Sequence, residues 1–134
     1  MFLFRRTQAD GRWRIRAMCE RLCASLRDNS EARGSRLLRE WLSPQQLAQF
    51  DANRYFDVVG CETGRRYRIH YGSSANIDEL DDRGRPLICY CFLPRVPLVP
   101  GDVMLAQKIA LETDERTALA VANRFKVRAR PQLW

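Results

Sequence analysis

The chain has 134 residues, of which 46% are hydrophobic and 29% are charged. This length supports one compact domain, and this composition excludes a wholly disordered or collagen-like chain. The 23 Lys and Arg residues outnumber the 16 Asp and Glu residues, which gives a formal net charge of +7 and a pI near 9.6. A charge of this sign is compatible with nucleic acid, an anionic membrane surface or an acidic protein as the partner.

The positive charge is concentrated at the two ends of the chain. Residues 1–39 carry a balance of +6, residues 40–123 carry −3, and residues 124–134 carry +4. Nearly all of the cations are arginines, whose planar guanidinium suits bidentate contacts with phosphate or carboxylate. The predicted nucleic-acid-binding residues are Arg12, Arg14, Arg16, Arg66, Arg68, Arg124, Lys126, Arg128 and Arg130.

The sequence predicts a cytoplasmic protein without a transmembrane segment. No apolar run approaches the roughly 18–20 residues that a membrane-spanning helix needs. Apolar residues 1–4 precede Arg5 and Arg6, which reverses the order of a secretory signal. The cysteines are odd in number and too sparse for a disulfide scaffold, which suits a reducing compartment. They are Cys19, Cys23, Cys61, Cys89 and Cys91.

The first 41 residues predict two helices. In residues 11–28 apolar side chains recur at helical spacing and arginines flank them, which is typical of a basic amphipathic helix. Residues 28–30 and Gly34 have turn chemistry, so we expect this helix to end there and a short second one to begin near Ser35. The apolar stripe consists of Ile15, Met18, Cys19, Leu22 and Leu26.

Residues 42–47 predict the start of another helix at residue 43. Ser43 can cap the helix, Pro44 suits its first position, and Gln46 completes a capping box. Leu42 and Leu47 are placed to form a hydrophobic staple. Because this role is structural, Ser43 is a poor candidate for a nucleophile.

After residue 53 the hydrophobic period changes from helical to two. Residues 55–60, 66–71, 76–80 and 87–92 form β-rich runs separated by turn signals, which predicts an antiparallel meander. In the second run, aromatic and aliphatic residues alternate with Arg66, Arg68 and His70. We therefore expect one apolar and one cationic face.

Gly101-Asp102 offers a cap, and residues 103–125 predict a long helix that packs on the sheet. Residues 113–115 resemble a second helix start, so this segment is alternatively two helices with a bend. The predicted fold is α+β, with N-terminal helices, a four-stranded antiparallel β-meander and this helix. Residues 1–36 form a basic amphipathic helical segment, 37–125 a single domain, and 126–134 a basic flexible tail.

Cys61, His70, Cys89 and Cys91 supply enough nitrogen and sulfur donors for a zinc site. Zinc knuckles usually place two or more residues between paired cysteines, whereas Cys89 and Cys91 are separated by one. We therefore expect these cysteines to pack as small hydrophobic residues, and spacing indicates no catalytic partner for His70. The prediction is a non-enzyme without metal or cofactor, with a metal or redox site kept as an alternative.

Between residues 37 and 125 the chain resembles a set of small uncharacterised bacterial proteins. The resemblance rests on residues 55–60, on the Tyr-Arg-Ile strand at 63–69, on Asn76-Ile77 and on the Gly-Asp-Val-Met-Leu-Ala-Gln-Lys stretch at 101–108. It implies the fold and no chemistry. A more distant likeness is to the SWIM-type zinc finger, on residues 64–69 and 89–91. It implies a hairpin-plus-helix frame that has lost its metal, because the helix at 101–104 lacks the second ligand pair, and a role in binding DNA or protein.

The function that follows is a small non-enzymatic basic binding module that contacts an anionic partner, with nucleic acid ahead of an acidic protein surface. A protein-protein adaptor or accessory subunit of a larger assembly is one alternative. A peripheral membrane protein, with helix 11–28 on anionic lipid, is another. The sequence leaves the oligomeric state open.

Overall fold

The structure, a computed structural model, describes residues 9–96 and 98–127, with the side chains of residues 15–19, 21 and 29–41 in its first helix. The predicted α+β class is confirmed. The elements in chain order are α1 (Ala9–Trp41), α2 (Pro44–Asn53), β1 (Tyr55–Val59), β2 (Arg66–His70), β3 (Ile77–Leu80), β4 (Pro86–Cys91), α3 (Pro100–Thr113), α4 (Glu115–Val121) and β5 (Asn123–Lys126).

The strands form one antiparallel sheet in the order β1-β2-β3-β4-β5. The four predicted strands are present at the predicted places. The fifth strand corrects the prediction that residues 103–125 are helical and that Lys126 begins a loose tail. Helix α4 ends at Val121, and Ala122 is extended, so the chain turns back and pairs with β4. This pairing joins residues more than 30 positions apart, which local periodicity does not report.

Helix α1 corrects the prediction of two N-terminal helices, because it runs unbroken for 33 residues. Gly34 does not end it. Gly34 is buried at the crossing with α3, where its main chain lies so close to Gly101 that neither position has ordinary room for a Cβ atom. Glycine here permits close approach of two helices and does not act as a helix stop. The predicted domain boundaries stay predictions, although α1 continues across residue 36.

Helix α2 confirms the predicted start at residue 43. The backbone N–H of Gln46 donates to Ser43 Oγ at 3.2 Å, and the backbone N–H of Ser43 donates to Gln46 Oε1 at 3.0 Å. The Gln46 side chain also donates to the Asp57 carbonyl at 3.0 Å. The capping box therefore fixes the start of α2 and the position of β1 together.

Replacing Ser43 with alanine should lower the free energy of unfolding by about 1 kcal/mol, because one helix amide loses its acceptor. Urea denaturation followed by far-UV circular dichroism measures this change. Ser74→Ala is the matched control, since Ser74 is exposed in a turn and makes no side-chain hydrogen bond to the residues described. An equal loss in both variants would contradict a capping role for Ser43.

One face of the sheet, here called the inner face, packs against α3. Cross-strand partners share a face, so Phe56, Ile69, Ile77 and Tyr90 lie in one row. These residues are buried and form one core with Met104, Leu105 and Leu111 of α3. The opposite, outer face carries the alternate residues of each strand.

Within residues 9–96 and 98–127, no helix has both the length and the apolar character needed to cross a bilayer.

Candidate functional site

The outer face does not present the row of unpaired cations that the sequence predicted. The Arg68 guanidinium donates to both carboxylate oxygens of Asp57, at 2.8 and 3.1 Å. His70 Nε2 lies 2.9 Å from Asp78 Oδ2. The register explains this, because Asp57 and Asp78 flank Arg68 on the neighbouring strands. The face is close to charge balance, which alternation within a single strand does not reveal.

Arg68 is held as a structural ion pair. The hydrogen bond to Asp57 raises the pKa of the Arg68 guanidinium above its ordinary value, against the opposing effect of burial. The guanidinium also stacks over Tyr55, with Cζ 4.2 Å from the ring centroid. A phosphate would have to compete with Asp57 for the Nε and Nη2 edge of the guanidinium. Arg66, on the same face, is exposed and has no acidic partner in the part of the chain described.

The predicted cations of β5 lie on the inner side of the sheet, opposite to Arg66 and Arg68. Arg124 pairs in register with Tyr90, and Lys126 pairs with Ile88. The Arg124 guanidinium is 5.7 Å from the Tyr90 ring centroid. The structure therefore separates the predicted nucleic-acid-binding residues of β2 from those of β5.

Arg124 and Lys126 lie on the same side of the sheet as Arg65, a grouping that the sequence analysis did not predict. Arg65 Nη1 lies 3.4 Å from Glu79 Oε1, and the Tyr90 hydroxyl donates to the same oxygen at 3.2 Å. Glu79 is buried on the inner face and pairs in register with Ile88, which in turn pairs with Lys126 on the next strand. We call Arg65, Arg124 and Lys126 the β5 patch. All three are exposed.

Glu79 and burial also act on Tyr90. Burial, followed by the negative charge of Glu79 and its hydrogen bond, raises the pKa of the Tyr90 hydroxyl, and the cations Arg124 and Arg65 oppose this effect. The phenol therefore stays protonated and donates to Glu79. The Arg124 guanidinium lies over the ring, so the patch rests on a buried aromatic side chain.

A second cluster, around Glu115, was missed by the sequence analysis. Glu115 is fully buried in the first turn of α4 and accepts hydrogen bonds from the Glu62 and Thr63 amides at 3.0 and 2.9 Å. The hydroxyls of Thr63 and Tyr67 each donate to its Oε2 at 2.5 Å. A Cβ atom at position 60 would lie 2.5 Å from Oε1, so Gly60 leaves the room for this carboxylate.

These contacts shift the pKa values of Glu115 and Tyr67 in opposite directions. Burial alone would raise the pKa of the Glu115 carboxyl, but the hydrogen bonds from Thr63, Tyr67 and the Glu62 amide outweigh it and hold that pKa below its ordinary value. Burial, followed by the hydrogen bond to Glu115, raises the pKa of the Tyr67 hydroxyl. The only sequence signal was the turn between the first two predicted strands, and the amides of Glu62 and Thr63 in that turn bind this carboxylate.

The cluster ties the β1–β2 turn to α4 and fits a structural role better than catalysis. Each oxygen of Glu115 is engaged by the protein, and among the side chains that the structure describes no buried nitrogen or oxygen lacks a partner. A reacting group would have to break these hydrogen bonds to approach the carboxylate.

The cysteines and His70 do not form a metal centre in the part of the chain that the structure covers, where no group of three or more His, Cys, Asp or Glu side chains could hold an ion. Cys61 is exposed in the turn after β1. Cys89 is buried, and its thiol donates to the Ala75 carbonyl at 3.2 Å. Cys91 is half-buried on the same strand.

The remaining predicted binding residues lie at the chain ends. Arg16 is exposed on α1. Arg12 and Arg14 also belong to α1, but their side chains lie outside the described part. Arg128 and Arg130 lie outside the described residues as well.

An open groove of about 410 Å³ lies beside the proline-containing loop after β4. Leu93, Val96 and Leu98 are exposed along it, and Val103 forms part of its wall. Its polar contributions come from Arg95 and two turn serines, with no carboxylate or histidine in the lining. The groove and the Glu115 cluster share no residues.

Comparison of the chain with protein-family models, with curated proteins and with solved structures finds no match.

Proposed function

We propose that this protein is a non-enzymatic binding module that contacts an anionic partner, nucleic acid, through the β5 patch. The observation that carries this proposal is the charge balance of the patch, in which three exposed cations lie on the same side of the sheet as one buried carboxylate, Glu79, which Arg65 contacts. The other acidic residues of the domain core are engaged elsewhere, as in the pairs Asp57–Arg68 and Glu112–Lys108. The local surplus of positive charge is therefore directed to solvent.

The geometry of β5 supports contact with a repeating anion. Residues two apart on a strand point to the same side, so Arg124 and Lys126 stand about 6.7 Å apart along one row. Arg128 and Arg130 continue this alternation in the sequence. Arginine binds phosphate through two parallel N–H groups, which makes it more selective for this geometry than lysine.

We propose a cytoplasmic setting for this interaction. The cysteines Cys19, Cys61 and Cys91 are thiols without a disulfide partner, which supports a reducing compartment.

The test is fluorescence anisotropy of a labelled 20-nucleotide single strand at a series of KCl concentrations. Three phosphate contacts predict a slope of about −2 for log K against log salt, since each contributes about 0.7. The double variant Arg124→Ala/Lys126→Ala should weaken binding and reduce the magnitude of the slope by about 1.4. A polyglutamate chain of equal charge should compete poorly, because it lacks phosphate.

The matched control is Arg39→Ala/Arg85→Ala, which removes the same charge from residues that are ion-paired to Asp51 and Asp81. Its slope should equal that of the unmodified protein. Binding without salt dependence, or an equal loss in the control, would rule out the β5 patch as a nucleic-acid site. Polyglutamate competition at equal strength would favour the alternative of an acidic protein partner.

A further inference from the structure

The two edges of the sheet differ in what covers them. The strand order places β1 at one edge and β5 at the other. On β1, the N–H of Asp57 donates to Gln49 Oε1 at 2.9 Å and its carbonyl accepts from Gln46 Nε2 at 3.0 Å, so α2 occupies this edge. No residue described does the same for β5, whose four residues are all exposed. An open edge of this kind is a template for another strand.

The strand registers show which main-chain groups of β5 face away from β4. In an antiparallel sheet, consecutive residues direct their N–H and C=O groups to opposite neighbours. The bonds of Asp57 to α2 fix this alternation at β1, and the N–H of His70, which donates across to the start of β3 at 2.7 Å, agrees with it at β2. Followed through the registers, Phe125 bonds to β4, whereas Arg124 and Lys126 direct their main-chain groups outward.

The side chains of β5 set the pattern that an added strand would need. Arg124 and Lys126 lie on the inner face, and Phe125 lies between them on the outer face, 46% exposed. Cross-strand partners on one face lie about 4.5–5.5 Å apart at Cβ, close enough for opposite charges or apolar groups to contact. The complementary strand therefore has a carboxylate opposite each cation and an apolar residue opposite Phe125.

The carboxylates nearest in the sheet do not cancel these cations. Strand β4 and residues 119–127 contain no Asp or Glu. On β3, Asp78 lies on the outer face, and Glu79 is buried on the inner face, where Arg65 contacts it. The β3–β4 turn at residues 81–85 has two aspartates and two arginines, which balance each other. The open edge of β5 is therefore cationic.

The same features discriminate between possible occupants. A second copy of this chain, paired antiparallel through β5, would set Arg124 and Lys126 against the same two cations, and like charges directly opposite each other are destabilising. The phosphates of a nucleic acid offer acceptors to the outward N–H groups and no donor to the outward carbonyls. A peptide strand supplies both.

We propose that the open edge of β5 is a docking site for an extended acidic segment of another protein, which adds to the sheet as an antiparallel strand with carboxylates opposite Arg124 and Lys126. The docking goes beyond the proposed function and does not depend on it. Its consequence rests on that function, since a peptide that occupies both cations should displace nucleic acid. Polyglutamate lacks the apolar residue opposite Phe125 and is a poor strand former, so it stays a weak competitor.

The probe is a labelled ten-residue peptide in which glutamate alternates with valine, added to the full-length protein without nucleic acid. In antiparallel pairing with glutamates opposite the cations, the glutamate N–H groups face β5 and the valine N–H groups face away. N-methylation of the central glutamates should therefore weaken binding at least tenfold. N-methylation of the central valines, the matched control, should leave binding within twofold. Equal effects of the two modifications would overturn strand addition.

Charge reversal tests the choice of partner. Arg124→Glu/Lys126→Glu should reject the glutamate peptide and bind a sister peptide with lysine in place of glutamate. This exchange cannot arise from unfolding, because one of the two peptides still binds. Failure of the glutamate peptide to bind the unmodified protein would overturn the proposal. So would a dimer of this chain, seen by light scattering, that the peptide dissociates, because β5 would then pair with its own copy.

The docking site and the proposed function can fail separately. If the peptide binds with this N-methylation pattern and the labelled single strand does not bind, the docking site stands and the proposed function is refuted. If both bind, the peptide should displace the single strand. Simultaneous binding of both would overturn the shared use of Arg124 and Lys126.

Discussion

Glu115→Gln should lower the free energy of unfolding at neutral pH by about 2–3 kcal/mol, the usual contribution of hydrogen bonds to a charged acceptor. The substitution keeps the size of the side chain but replaces one carboxylate oxygen with an NH₂ group. That group cannot accept from the Thr63 and Tyr67 hydroxyls that now donate to Oε2. Urea denaturation at pH 7 measures the loss.

The same residue predicts the behaviour of the protein in acid. The folded state holds the Glu115 pKa below its ordinary value near 4.5. The stability that ionised Glu115 contributes is therefore fully present above pH 4.5. It is lost as the pH falls through the lower pKa of the folded state. The stability of the unmodified protein should therefore decline more steeply below about pH 4.5 than that of Glu115→Gln.

Glu40→Gln is the matched control, because Glu40 is exposed on α1 and makes no side-chain hydrogen bond or ion pair to the residues described. Its cost should be about 0.5 kcal/mol or less. A second check is the coupling between Glu115→Gln and Tyr67→Phe, which should be less than additive because both remove the same hydrogen bond. If the free energy of unfolding fell with pH in parallel for the unmodified protein and Glu115→Gln, Glu115 would not be the cause of the loss of stability in acid.

Sequence reasoning located the features that are encoded locally. The capping box at Ser43 and Gln46 is set by residues three positions apart, and the structure reproduces it. The first four strands follow from period-two patterning and turn residues, and their meander follows from short connections. These features do not require knowledge of distant parts of the chain.

The features that were missed depend on contacts between distant residues. The charge of Arg68 is balanced by Asp57 and Asp78, which only the strand register places beside it. Glu115 is separated from Thr63 by 52 positions, and nothing in the local pattern at either site indicates a carboxylate bound by a turn. The β5 patch likewise forms only when the chain end pairs with β4.

Gly34 shows how the same residue type supports opposite interpretations. Glycine after a run of turn-forming residues usually favours a helix end. In α1 the helix continues through Gly34, where α3 packs closely against its main chain. The distinction depends on the partner helix, which lies more than 60 residues further along the chain.

Gly101→Ala should therefore be among the most destabilising single-methyl substitutions in this protein, at about 3 kcal/mol, the upper part of the range for an overfilled contact. The added Cβ would lie 2.6 Å from the Gly34 carbonyl oxygen and 2.7 Å from the Ser35 amide nitrogen. Both atoms belong to main chain in the middle of α1, which cannot rotate away. The two helices would have to separate, and the core contacts of Leu38 would loosen with them.

Gly34→Ala adds the same methyl group on the other side of the contact and should behave differently. Its closest neighbours are side-chain atoms, Val99 Cγ2 at 2.6 Å and Asp102 Oδ1 at 3.2 Å, and these can adopt other rotamers. Alanine is also favoured over glycine inside a helix by about 1 kcal/mol, which offsets part of the cost. We expect a net change within about 1 kcal/mol. Urea denaturation of both variants compares them, and equal losses would show that the separation of the helices is not fixed by the main-chain contact at Gly101.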